Sequence, residues 1–197
     1  MGSYITIGFI YNKFSMNNIK NQMERVVEYI VSSVGIIKKA KVSKDMDGEE
    51  WIEYDSINNS QIDTLFTSLA EHYYGQIEME TNLFDLKNLT IIMRVVKEEN
   101  DDYFGLLLDV DENAFITNTV NVYTEKILNL ITEFYNYSVY DYAFCDNEAE
   151  IKYSPKEFIN LKESVYSLAI LPVCNDISNK LRVIKSKWNI DGLTSRT

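Results

Sequence analysis

The residues that break or staple a chain are scarce in this sequence. Two prolines and seven glycines among 197 residues leave little scope for long linkers or low-complexity tracts. No apolar run reaches the length that crosses a bilayer, so a membrane partner is not expected. The opening stretch, MGSYITIGFIYNKFS, lacks the basic start and small-residue cleavage site of a signal peptide. Two cysteines, Cys145 and Cys174, fit free thiols in a reducing compartment better than a disulfide framework. The cytoplasm is therefore the expected location. A single histidine, His72, and no Cys-x-x-Cys spacing argue against zinc. His72 lies beside an apolar helical stripe with no Ser or Cys in a dyad pattern, which points to a structural role. A Gly-rich phosphate loop is also missing, and no cofactor is expected.

Positive charge is short as well. Lys and Arg number 19 against 30 Asp and Glu, a net charge of −11. Such a surface repels nucleic-acid phosphate and anionic membrane. It favours basic partners, or simply keeps a protein soluble.

Apolar residues are plentiful: 46% are hydrophobic and 13% aromatic, too many for a disordered chain. The length suits one domain, residues 1–197. Tyr4–Tyr11 reads as a buried strand. Ser15 caps a helix carrying Ile19, Met23, Val26, Val27 and Ile30 at helical spacing, with Gly35 beyond its end. Ile36–Met46 and Glu49–Asp55 read as a hairpin around Asp47-Gly48. Ser60 and Asp63 suggest a capping box for a helix ending before Gly75. Gln76–Thr81, Leu89–Lys97 and Tyr103–Val110 read as strands. The longest helix, with a stripe of Ile116, Val120, Tyr123, Ile127, Ile131 and Phe134, runs to about Tyr137. Ser154-Pro155-Lys156-Glu157 opens a short helix, and Tyr166–Val173 is a further strand. Lys180–Thr197 is the only basic segment.

The stretch Val139–Tyr153, VYDYAFCDNEAEIKY, alternates strictly and reads as a hairpin turning at Asp146-Asn147. One face is aromatic and the other acidic. It matches the earlier hairpin: Tyr4 and Tyr103, Asp47 and Asp146, Ile52 and Ile151, Tyr54 and Tyr153 are each separated by 99 positions. The expected fold class is α+β, a mixed β-sheet covered by helices. Pseudo-repeats at 4–81 and 103–173, two βαββαβ-like halves, stand beside a chance match as the source of the pattern.

Two constellations carry possible chemistry. Asp141 with Glu150-Ile151-Lys152 has the order of a metal-dependent nuclease motif, two carboxylates for Mg²⁺ and a Lys to activate water. The tripeptide is common, and the acidic surface opposes a nucleic-acid substrate, so a solvated strand face is preferred. Asp109-Val110-Asp111-Glu112-Asn113 starts like a calcium loop. It has Ala114 where Gly is required and Val120 where Glu is required, which leaves a strand end and a helix cap.

Four stretches, YITIGFIYN, YFGLLLDVDE, DYAFCDNEAEIKYSPKEF and IKSKWNIDGLTSR, together resemble the immunity proteins of bacterial polymorphic toxin systems. They are most similar to the immunity protein 64 family. The resemblance implies a non-catalytic cytoplasmic protein that binds and neutralises a toxin made by the same or a sibling cell. It carries over no contact residues. From charge and aromatic content, the expected toxin-binding residues are Tyr140, Asp141, Tyr142, Asp146, Glu148, Glu150 and Tyr153. The expected partner is a cognate toxin with a basic surface, and a nuclease is the first candidate because its cleft binds phosphate.

Overall fold

A computed structural model describes residues 3–32, 35–55, 57–58, 60–115, 120–161, 165–175 and 178–190, with backbone alone for 120–122, 174–175 and 178–180. The chain forms β1 (Tyr4–Asn12), α1 (Met16–Val31), β2 (Ile36–Ser43), β3 (Trp51–Asp55), α2 (Ile62–Glu71) and β4 (Tyr74–Thr81). It continues as β5 (Leu89–Glu98), β6 (Tyr103–Asp111), α3 (Val120–Phe134), β7 (Tyr142–Asn147), α4 (Pro155–Phe158), β8 (Leu168–Asn175) and β9 (Ser178–Lys185). Nine strands make one open sheet in the order β3-β2-β4-β5-β6-β1-β7-β8-β9.

The α+β class stands, but the sheet is not mixed. Every pairing among the described residues is antiparallel. The pairing repeats only in part between 4–81 and 103–173: β2 pairs with β4 as β7 pairs with β8, but the first strands differ. β1 lies between β6 and β7, whereas its counterpart β6 lies between β1 and β5. A two-fold repeat would set β6 beside β2, and β2 is flanked by β3 and β4.

One face of the sheet is packed by helices. Ile5, Ile7, Phe9 and Tyr11 of β1 join Phe104, Leu106, Leu108 and Val110 of β6 in a core with Ile19, Met23, Val26 and Ile30 of α1. Leu65 and Leu69 of α2 and Tyr123, Ile127, Ile131 and Phe134 of α3 complete it. The helical stripes thus point where the spacing places them; Ile116 and the Val120 side chain lie outside the described residues. Ser15 caps α1, its side chain accepting from Asn18 N. Ser60 does not cap α2, because its hydroxyl is spent on Asn58 Oδ1 at 2.6 Å and Gln61 holds the cap position instead. The capping box of Ser154 and Glu157 is complete.

The second face is covered on one half only. A cluster of Ile10, Tyr103, Leu107, Tyr142, Phe144, Phe158, Tyr166 and Leu171 lies there, where residues 148–161 cross the sheet. The half formed by β3, β2, β4 and β5 has no such cover among the described residues.

Candidate functional site

The arm after β7 decides what that second face presents. Its expected hairpin does not form, because both edges of β7 are taken, by β1 and by β8. The chain leaves the sheet at Glu148, which adopts φ 45°, a left-handed turn that a non-glycine residue enters only under constraint. Residues 148–153 then cross over the second face. The alternation read from the sequence survives as burial: Ala149 is buried, Ile151 and Tyr153 are half-buried, and Glu148, Glu150 and Lys152 are exposed. Ile151 lies over Gly105 of β6, where a Cβ would overlap its Cδ1.

Tyrosine hydroxyls tie the arm down. Tyr142 donates to the Tyr153 carbonyl at 2.6 Å. Tyr166 donates to the Glu150 carbonyl at 3.0 Å and accepts from Lys152 N at 3.1 Å. Their rings are stacked, Tyr142 on Phe158 and Phe144 on Tyr166, each with centroids 4.0 Å apart. Burial pushes the Tyr166 phenol up to about 12 and those of Tyr140 and Tyr142 higher still. Tyr140 faces the helices and donates to the Ile131 carbonyl at 3.1 Å. These phenols hold the scaffold, and neither Tyr140 nor Tyr142 reaches the surface.

The carboxylates separate in the same way. Asp146 is 1% exposed. It accepts from Ser167 Oγ at 2.6 Å, Ser167 N at 3.2 Å and Asn147 N at 2.9 Å, with Trp188 Nε1 at 3.4 Å. It thereby joins β7, the approach to β8 and the segment after β9. Asp141 is clamped by Asn12, from the backbone N at 2.7 Å and Nδ2 at 2.6 Å. Glu150 accepts from Arg94 Nη1 at 2.8 Å. The same guanidinium holds Asp109 through Nε at 2.5 Å and Nη2 at 3.2 Å, and Asp109 also accepts from Thr6 Oγ1 at 2.8 Å. Burial works against the Arg94 charge, and the two carboxylates outweigh it, so its pKa rises.

Asp141 and Glu150 are therefore not brought together. One is tied to Asn12 at the end of β1 and the other to Arg94 of β5, with β6 between those two strands. Among the described residues no group of three His, Cys, Asp or Glu side chains is placed to hold a metal. Cys145 is a buried free thiol with its pKa raised by burial; the Cys174 side chain lies outside the described residues. His72 caps α2, its Nδ1 2.8 Å from the Ser68 carbonyl. Asp111 caps a short turn by accepting from Asn113 N, as its place after a strand suggests.

The uncovered half-face gathers what remains accessible. β3 contributes Trp51, Glu53 and Asp55, β2 Lys39 and Lys41, β4 Tyr74, Gln76 and Glu78, and β5 Ile92, Arg94, Val96 and Glu98. A depression of about 430 Å³ lies between Trp51, Tyr73, Tyr74, Arg94 and the arm's Glu150. Trp51 is 36% exposed, Tyr73 51% and Tyr74 52%. Lys39 is paired with Glu78 at 3.1 Å, and Lys41 lies over the Trp51 ring at 4.6 Å. Glu53, Asp55 and Glu98 have no ion pair among the described residues. Antiparallel sheets often turn a polar face to water; three exposed aromatics among unpaired carboxylates make this one unlike a plain solvated face. Sequence reasoning did not single out Tyr73 or Tyr74, whose exposure depends on which strands the arm covers.

The family model for immunity protein 64 matches residues 1–196. The chain belongs to the immunity protein 64 family. None of the curated proteins matches it. Among solved structures, the Pseudomonas aeruginosa T6SS protein PA0821 is similar at 8% identity and a TM-score of 0.38, over 74% of this chain and 41% of that one. The chain thus spans less than half the length of that protein. The four stretches that resemble the immunity protein 64 family fall largely on β1, β6, β7 with its arm, and the segment after β9. Three of those are adjacent central strands.

Proposed function

We propose that this member of the immunity protein 64 family neutralises a cognate protein toxin in the cytoplasm by binding it, without catalysis, through the bare half of the sheet. The observation that supports this reading is the union there of Trp51, Tyr73 and Tyr74 with carboxylates that have no ion pair among the described residues. Aromatic side chains supply most interface energy. Unpaired carboxylates steer a basic partner and set its orientation. Glu148, Glu150 and the half-buried Asp141 and Tyr153 form the neighbouring rim. Tyr140, Tyr142 and Asp146 act from beneath by holding the arm and the sheet. A toxin with a basic cleft, such as a nuclease, would be occluded once that cleft lies against this face.

The test is co-expression with the toxin encoded beside it, followed by size-exclusion chromatography of the pair. The wild-type chain should restore growth and co-elute with the toxin. Replacing Tyr73 and Tyr74 together by Ala should weaken the complex at least about ten-fold, as expected for exposed aromatic anchors, with the melting temperature unchanged. No rescue and no complex with the wild-type chain would sink the immunity reading. Full affinity in the double variant would remove this face from it.

A further inference from the structure

The bare half-face ends in a free sheet edge, and its hydrogen-bonding pattern is defined. β2 and β3 pair from Lys39↔Asp55 to Ser43↔Trp51 without a register shift. Just beyond, Lys44 N donates to the Glu50 carbonyl at 2.9 Å. In an antiparallel ladder bonded and non-bonded pairs alternate. Counting from Lys44 and Glu50, Ile52 and Tyr54 bond to β2, while the N–H and C=O of Trp51, Glu53 and Asp55 point away from it. No strand lies beyond β3 among the described residues.

An exposed edge is normally blunted by proline, a bulge or lysine. β3, with sequence WIEYD, has none of these. Its outward side chains are acidic, and their nearest cations are engaged elsewhere. Lys39 stands opposite Asp55 but bonds Glu78. Lys41 stands opposite Glu53 but lies over Trp51. Cross-strand neighbours of opposite charge are favourable and like charges are not. An added strand with Lys or Arg at alternate positions would pair with Glu53 and Asp55. A second copy of β3, centred on Glu53, would set that carboxylate against itself.

We propose that the edge of β3 takes up an extended, basic segment of the toxin as a tenth strand, so that main-chain bonds at Trp51, Glu53 and Asp55 extend the contact made by the bare face. The proposal rests on the toxin-binding reading above and adds the mode of contact. Alternate side chains of the added strand would continue the polar face, and the others would lie over the helical side.

Two measurements on the full chain with the purified toxin test it. In hydrogen exchange of the wild-type complex, the amides of Trp51, Glu53 and Asp55 should become protected, having exchanged freely in the unbound protein. In binding, Glu53→Pro removes an outward N–H without touching the β2 ladder, as edge strands tolerate. It should weaken the complex at least about ten-fold, because a bonded pair is lost and its partner carbonyl is orphaned. Glu53→Gln should weaken it less, with an effect that fades as salt rises. If the wild-type chain forms no complex, the immunity reading falls and the edge with it. If the complex forms but those amides exchange as fast as before, or Glu53→Pro folds and binds as the wild type does, the edge proposal alone is overturned. Protection that appears in the free protein as its concentration rises would assign the edge to a second copy and overturn it equally. Should Glu53→Pro fail to fold, the exchange measurement decides alone.

Discussion

Asp146 separates a scaffold role from a contact role. In Asp146→Ala the two oxygens vanish from a site that is 1% exposed. The Ser167 hydroxyl can turn to the Asn189 carbonyl, 3.0 Å away, and the part-buried Asn147 amide can recover water. The buried Ser167 amide loses its acceptor, which costs about 1–3 kcal/mol. With the loosened Trp188 contact, the variant should lose about 2–4 kcal/mol. For a chain of this size that lowers the melting temperature by about 5–15 °C. Asp146→Asn should be milder. With its amide nitrogen in the Oδ1 position it donates to Ser167 Oγ, which then donates to Asn189, while the remaining oxygen still accepts from the Ser167 amide. The Asn147 bond and the charge are lost, and about 1 kcal/mol should go with them. Thermal and urea denaturation of both variants give the order, and titration with the toxin gives the affinity. Melting of the Ala variant within about 2 °C of wild type, or an Asn variant less stable than the Ala one, would refute this reading of the bonds. A fully folded Asn variant with strongly reduced toxin affinity would return Asp146 to the interface.

Other consequences follow from neighbouring geometry. Arg94→Met leaves Asp109 nearly buried without its cation and should destabilise the fold by about 3 kcal/mol; Glu150→Ala, removing an exposed partner of the same guanidinium, should change the denaturation midpoint by less than about 1 kcal/mol. A Cβ at Gly8 would overlap the Phe144 ring, which is stacked on Tyr166, so Gly8→Ala should cost about 1–3 kcal/mol and reduce near-ultraviolet circular dichroism. Lys97 donates to the carbonyls of Leu69 and His72 at the end of α2, and burial pushes its pKa down to about 8 from 10.5. Between those values the unfolded chain holds the extra proton, so the penalty for the buried charge is full below about 8 and fades as pH rises toward 10.5. Wild-type stability measured against Lys97→Met across that range should therefore improve with pH, and a flat difference would contradict it. In a Cys174→Ser background, Cys145 should resist thiol reagents at pH 8 until denaturant unfolds the chain, since burial raises its pKa and the reagent needs the thiolate.

Much of the fold was legible because it rests on local patterns. The stripes of α1 and α3, the Ser15 cap and the Ser154–Glu157 capping box depend on residues within a few positions of one another. The continuous apolar run of Tyr4–Tyr11 announced a strand buried on both faces, as β1 is. What failed was long-range. Alternation in 148–153 correctly divided the side chains into two unlike faces, without saying which of them is buried. It could not show that β7 already has two neighbours, so a crossing arm was read as a hairpin strand. Asp146 looked like a turn residue because its bonding partners, Ser167 and Trp188, lie 21 and 42 positions away. β9 was hidden in a segment read only for its charge, since KLRVIK alternates but lies beyond the last expected strand.

The same long-range fact explains the division of the second face. Tyr142 and Phe144, part of the aromatic face noticed in the sequence, join Tyr166 in a platform that draws the arm across β6, β1 and β7 and is consumed in doing so. An arm held by two tyrosine hydroxyls and by Arg94 covers that half and leaves β5, β4, β2 and β3 bare. The acidic and aromatic residues that remain for a partner are thus those whose strands the arm does not reach. Arg94 lies at the boundary, with Asp109 on the covered side and Glu150 on the arm above. A partner settling beside Trp51 and Tyr74 therefore meets a fixed rim rather than a free loop. Fixing that rim before binding removes an ordering cost from association, which favours tight binding by a face of modest size.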